Sequence, residues 1–400
     1  MNKYITKAAE SAAKAVVLDD MILTVGMPTT AGSKMLDGYN SLFESEAVTK
    51  LKSAGYGIAG KANTGEFGLD FLGETSHFGA CADESGNLIS GCAAAINDGD
   101  AFAAVSLDTN GTPRRAAALA GLTCLKPTYG TVSRYGIVPA ACSGEAVSVT
   151  AKCAADVAEV ADCIIAHDFK DGTSLPEEVC NSIKGNIKQG EFKKVAVIKN
   201  LVDSADSDTQ AKIASACTAL NNSGIATEEI NDEILPLSQS AWFILMSAEA
   251  CNNISRYDGI KFGYRSPNYK NIDELYTNSR TEAFGLLTKL TVLYGSECLS
   301  DDNYMPVYDK AMRIRRVISE HLNSLFEKYD ALLLPACSKT AYSEDEVKSD
   351  IDTAYNESLY TAPASISGVP AVACAGVQFI GKALSDKVLL GLAQICEKEA

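Results

Sequence analysis

Phe102-Ala-Ala-Val-Ser106 runs through Leu107-Asp-Thr-Asn-Gly111 into Thr112-Pro113-Arg-Arg-Ala-Ala-Ala-Leu119. The first piece is a short, unbroken apolar run of strand length. The last opens on a proline, which suits the first helical position, and continues in alanine, the strongest helix former. Strand, turn and helix in this order make the unit from which α/β proteins are built. Thr112, just ahead of Pro113, reads as the helix N-cap. A second loop enters a helix at Ile89-Ser-Gly-Cys92-Ala-Ala-Ala-Ile96. Helix N-termini present unpaired N–H groups and positive dipole ends. Two that converge would form a pocket for a carboxylate or carbonyl oxygen.

The pattern repeats outward from this unit. Helical periodicity predicts helices over Ser45–Ala54, Ala151–His167, Gln210–Asn222, Ser240–Asn253 and Met312–Tyr329. Apolar runs predict strands at Tyr56–Ala59, Phe102–Ser106, Lys194–Ile198, Ala331–Leu334 and Ala371–Ala375. Asp330-Ala-Leu-Leu-Leu-Pro335 follows a long amphipathic helix and reads as a buried strand stopped by proline. With no repeat, low-complexity tract or long linker, a single domain over 1–400 with a central sheet is expected.

Composition narrows the function classes. The 400 residues are 46% hydrophobic and 22% charged, with a formal net charge of −16. So acidic a surface repels phosphates, which argues against direct nucleic acid binding. The 13 cysteines are scattered singly without a Cys-x-x-Cys pair, and there are 3 histidines, so neither a zinc site nor any other metal or cofactor is expected. In Ala/Val/Ile-rich surroundings the thiols read as small buried hydrophobes of a reducing compartment. Met1–Val17 has no apolar h-region and does not read as a signal peptide. No run approaches ~18 consecutive apolar residues, so no membrane span is expected and the cytoplasm is the default location.

Longer motifs carry a resemblance. Asp108-Thr-Asn-Gly-Thr-Pro-Arg-Arg115, Gly121-Leu-Thr-Cys-Leu-Lys-Pro-Thr-Tyr-Gly130 and Val132-Ser-Arg-Tyr-Gly-Ile-Val138 resemble the amidase signature. Thr29–Leu36, Gly60-Lys-Ala-Asn63, Glu66-Phe67, Ser247–Ala250, Arg256–Gly259, Phe262–Arg265, Ala331–Pro335 and Thr361–Pro370 extend it, most closely toward the A subunits of glutamyl-tRNA(Gln) amidotransferases. The resemblance implies an α/β fold with a single mixed β-sheet covered by helices on both sides. It also implies a frame for amide hydrolysis. In that family a lysine base activates a nucleophilic serine through a second serine held in a cis-peptide turn. A hydroxyl at neutral pH needs such a base, and backbone N–H groups stabilise the oxyanion. The family's glutamine-hydrolysing member releases ammonia from glutamine for its B and C partners.

Carried residue by residue onto this chain, the machinery is altered. Counting back without gaps from Gly26-Met-Pro-Thr-Thr30 puts the family lysine at Asp19. This is either a buried base with a raised pKa or a merely hydrogen-bonded acid. Matching Cys92-Ala-Ala-Ala95 to the end of the glycine-rich turn puts the relay serine at Leu88, which cannot pass a proton. The nucleophile falls at Thr112, a hydroxyl crowded by its methyl. Asn110 and Gly111 replace paired glycines of the oxyanion loop. The arginine that would clamp the substrate falls at Leu290-Thr291 and its aspartate at Ser358, with Glu357 as a stand-in. Leucine and threonine cannot rebuild a bidentate arginine clamp. Set against the resemblance, the stretch ahead of Asp19 is expected to lack most of the family's N-terminal helices, and Ala371–Gly376 to be abbreviated.

Losing the base or nucleophile of such a unit typically costs several powers of ten in rate. The first expectation is therefore a non-catalytic paralogue that binds a B- or C-like partner, or a small carboxylate or amide ligand. The alternative is an active amidohydrolase with rewired chemistry, Thr112 with Asp19 or Cys92 with His77. Cys92 reads either as a thiol activated at a helix N-terminus or as a small packed residue. A third idea is a ligand sensor using the paired helix N-termini.

Overall fold

The computed structural model describes residues 1–9, 14–187 and 192–398. Its centre is one mixed sheet whose strands are β1 (Tyr4–Lys7), β2 (Ala15–Asp19), β3 (Gly57–Ala62), β4 (Ala103–Asp108), β5 (Thr123–Lys126), β6 (Ala146–Ala151), β7 (Lys194–Ile198), β8 (Ala226–Ile230), β9 (Ala331–Pro335), β10 (Ala371–Cys374) and β11 (Val377–Gly381). Across the sheet they run β1-β3-β2-β4-β6-β5-β10-β11-β9-β7-β8. β3, β2 and β4 are mutually parallel, as are β9, β7 and β8, and antiparallel pairs join the two groups. β2, β4, β5, β6, β9, β10 and β11 are buried along their whole length. Such strands show unbroken apolar runs rather than alternation, which is what makes them legible in sequence.

Helical periodicity holds at Glu46–Ser53, Ser207–Asn222, Leu237–Ile254 and Lys310–Phe326, each close to its expected span. The helix expected over Ala151–His167 is shorter. Ala151 belongs to β6, and the helix covers Ala154–Ile164. The Ala146–Ala151 stretch of small and β-branched residues is taken up by the ladder with β4 and β5. Seven of the 13 free thiols are buried and the other six only half-buried, so packing explains some of them and not all. Among the described residues no helix is long and apolar enough to cross a membrane.

This topology places the candidate site. In open sheets with parallel strands, ligands collect outside the carboxyl ends. Asp19 ends β2, Asn63 follows β3 and Asp108 ends β4, so three loops leave the sheet at one edge. The helices Gly91–Asn97 and Thr112–Ala120 begin at that edge.

Candidate functional site

The two helix N-termini do converge. Ser90, Cys92 and Ala93 from one and Thr112 and Pro113 from the other line a cavity of about 30 Å³ with Asp19, Asn63 and Ser106. That is room for no more than a few water molecules.

Asp19 is 7% exposed. One carboxylate oxygen accepts from Met21 N and the other from Leu107 N, each at 3.2 Å. The second bond reaches the neighbouring strand where the β2–β4 ladder runs out. Burial pushes the carboxyl up to about 6, with Asp20 adding to the shift, while the two N–H donors and Lys61 oppose it. Asp19 is thus both a buried acid of raised pKa and one whose oxygens are engaged by backbone. No hydrogen bond joins it to Thr112 among the described residues.

Thr112 is not the N-cap. Gly111 holds that position with φ 90°, and Thr112 is the first residue of the helix. A β-carbon at Gly111 would lie 2.3 Å from Thr361 Cβ, so the loop closes this tightly only with glycine. Gly111 N donates to Asp108 Oδ1 at 3.1 Å, which removes that N–H from any oxyanion role. The Thr112 hydroxyl donates to Asp70 O at 3.2 Å and accepts from Arg115 Nη2 at 3.3 Å. A carbonyl is no base at neutral pH, and a guanidinium at the lone pair opposes nucleophilic attack.

Arg115 carries a role that the sequence reading did not assign. It is fully buried, and its guanidinium also donates to Phe71 O, Asn110 O and Thr361 Oγ1. Its neighbour Arg114 pairs with Asp108 at 2.8 Å. Nothing local in Pro113-Arg114-Arg115-Ala116 marks this role, because the partners of Arg115 lie as far away as Phe71 and Thr361.

Leu88 is not brought to Thr112. It is 5% exposed and packs with the apolar cluster that includes Phe71, Ala116 and Tyr342. Its N–H donates to Tyr342 O at 2.8 Å. All described peptide bonds are trans. Ser90 is the hydroxyl that does reach the small cavity, but its oxygen caps the Gly91–Asn97 helix by accepting from Ala93 N at 3.2 Å.

Cys92 meets Ser106, whose hydroxyl donates to its sulfur at 3.4 Å. Burial and the nearby Asp19 push the thiol up, so it stays protonated. His77 is exposed, with its ring against Phe78 at 5.3 Å, and no hydrogen bond links it to Cys92 among the described residues. The Cys92–His77 pairing is not formed.

The cation nearest Asp19 and Asp20 is Lys61, fully buried at β3. Its ammonium donates to Ile22 O at 2.6 Å and Thr29 Oγ1 at 3.0 Å and pairs with Asp20 at 3.1 Å. Two of its donors are spent on Ile22 and Thr29 and its charge faces Asp20, and no hydrogen bond joins it to Thr112 among the described residues. Among the described residues no group of three or more His, Cys, Asp or Glu is placed to hold a metal ion.

The clamp positions lie apart from this cavity. Asn110 and Thr291 line a second one of about 250 Å³, with Leu69, Phe243, Met246 and Leu290 among its walls. Thr291 Oγ1 donates to Leu287 O at 2.9 Å and Ser358 Oγ to Tyr355 O at 2.6 Å, both back into their own helices. Ser358 does not line the cavity; Ala354 and Tyr355 of its helix do. Glu357 is no stand-in, because its carboxylate accepts from Ser338 N at 2.8 Å. The two cavities have no lining residue in common.

Comparison with known proteins agrees with the fold. A family model described as Amidase matches residues 15–390. The A subunit of the Latilactobacillus sakei glutamyl-tRNA(Gln) amidotransferase is 35% identical over 392 residues, covering 92% of this chain and 79% of its own. Its counterpart in Francisella philomiragia is 32% identical over 385 residues, covering 92% and 80%. The solved structure of the Thermotoga maritima counterpart has a TM-score of 0.83 at 29% identity, covering 99% of this chain and 87% of that one.

Proposed function

The chain belongs to the amidase family, and from that premise we propose that it is a non-catalytic member with a binding or scaffolding role in the cytosol. The observation that carries this is the state of the Thr112 hydroxyl. Its proton points to Asp70 O, its lone pair meets Arg115, and hydrocarbon at Leu88 lies elsewhere. Asp19, Leu88 and Thr112 then stand at the triad positions without forming a relay. The curated relatives are named as subunits of an amidotransferase, which supports B- or C-like subunits as partners. The test is ammonia release from glutamine by the pure protein, beside co-purification with B and C subunits. No turnover is expected, also after Asp19→Lys, Leu88→Ser and Thr112→Ser are combined, because the clamp is gone as well. Robust turnover abolished by Thr112→Ala would overturn the proposal.

One observation favours a second reading, an amidohydrolase using Thr112 with Asp19. Asp19 shares the small cavity with Thr112, and its carboxyl is pushed up to about 6 by burial. That reading requires Asp19→Asn to abolish amide hydrolysis; hydrolysis indifferent to the change rejects it.

A further inference from the structure

We propose that the groove between the helices Leu237–Ile254 and Leu286–Cys298 binds an apolar monocarboxylate, its carboxylate at Arg280 and Lys289 and its hydrocarbon tail along the groove. The groove shares no lining residue with either cavity described above. The inference is therefore independent of whether the chain hydrolyses amides.

The groove arises from the way the two helices meet. At Gly295 they touch: a β-carbon there would lie 2.0 Å from Ser247 O and 2.8 Å from Cys251 Cβ. From this contact toward the start of the second helix, a cavity of about 420 Å³ opens between them. It follows that helix from Ser296 back to Lys289, two turns or about 10 Å. Ile254, Phe284, Val292 and Leu293 give it apolar walls. An apolar cavity of ~150 Å³ takes benzene, so this one has room for a longer hydrocarbon body.

One end of the groove is cationic. Arg280 Nη2 donates to Ser255 O at 2.5 Å and Lys289 Nζ to Thr281 O at 2.7 Å, and both bonds are open to solvent. The two acceptors belong to residues that line the cavity. Arg280 Nε is anchored on Tyr257 O at 3.2 Å. A lysine has three N–H donors and an arginine five, so each cation keeps donors for a ligand.

These charges are not compensated. A main-chain carbonyl carries no net charge, and neither cation forms an ion pair among the described residues. No aspartate or glutamate lines the cavity. The Cys251 thiol on the wall reads the same field: burial pushes it up, and the charge that pulls it back is Arg280. In a chain of net charge −16, two cations held by neutral oxygens make a local positive site, and an anion is its complement. Two cations match the two oxygens of a carboxylate, whereas a phosphate presents three acceptor oxygens. The apolar walls beyond them select against a small hydrophilic anion.

Octanoate is the probe, titrated calorimetrically into the full chain. It is expected to bind at one site, more weakly as ionic strength rises. 1-Octanol lacks the charge and octylamine reverses it, and each should bind at least about tenfold more weakly. Octyl phosphate should bind no more tightly than octanoate. Lys289→Gln, at a half-buried position, should weaken octanoate several-fold, and Lys289→Arg should retain most of the affinity. Ser296→Trp, at the exposed far end, should block the tail and abolish binding. Urea midpoints of the variants check that each is folded. Undetectable octanoate binding would overturn the proposal, as would equal affinity for 1-octanol, tighter binding of octyl phosphate, or octanoate binding indifferent to Lys289→Gln and Ser296→Trp.

Discussion

At the scale of single residues, burial decides what each ionisable group can do. Asp19 is lifted from 3.8 to about 6 mainly by desolvation. For an acid with a raised folded-state pKa, the native state holds the proton more tightly than the unfolded chain. Its unfavourable contribution is therefore absent below about pH 4 and grows as pH rises toward 6, reaching about 3 kcal/mol at neutrality. Asp19→Asn should flatten the fall in stability across that window, read from urea midpoints at a series of pH values; an unchanged slope would contradict the assignment. Lys61 behaves in the opposite way. It is fully buried and paired with Asp20, so Lys61→Met strands a buried carboxylate and is expected to cost about 3–5 kcal/mol. Adding Asp20→Asn should restore much of this in equilibrium unfolding. Recovery would be absent if the lysine contributed only its hydrocarbon stem.

At the scale of elements, loops bring catalytic positions together or keep them apart. Leu88 is bonded through its backbone to Tyr342 and packs into an apolar cluster. Leu88→Ala should cost about 2–5 kcal/mol, in the range of buried leucine truncations, and Leu88→Ser should add no turnover. A loss below about 1 kcal/mol in either variant would place the side chain outside the core. The same loop shows where sequence legibility ended. Buried strands such as Lys194–Ile198 announce themselves by unbroken apolar runs, and helices such as Ser207–Asn222 by period and cap. β1, β5 and β11 carry polar residues inside the run, such as Thr6, Thr123 and Gln378, so no unbroken apolar stretch marks them, and their pairing is fixed by distant partners. Within the site, Asp19 and Thr112 were found by register and do share a cavity. Arg115 and Lys61 were not assigned roles, because a hydrogen-bond network between residues about 40 to 250 positions apart leaves no local pattern. The cap moved from Thr112 to Gly111 because the left-handed turn needed there excludes a side chain.

For the whole molecule, charge sets the company it keeps. A net charge of −16 opposes polyanions, so the isolated protein should not retain tRNA in a filter-binding assay near physiological salt. Retention there would point to a concealed basic face. Any tRNA-linked role must then come through a partner that supplies the positive surface. Arg115 has a consequence on this scale too. Its guanidinium laces the segment at Phe71, the turn at Asn110 and the distant helix at Thr361 to one another. Freeing the Thr112 oxygen from it means unpicking a seam that spans nearly 300 positions of chain, as the Phe71 and Thr361 contacts mark. On the non-catalytic reading proposed above, recovering a free Thr112 hydroxyl would require loosening this seam as well as restoring a base.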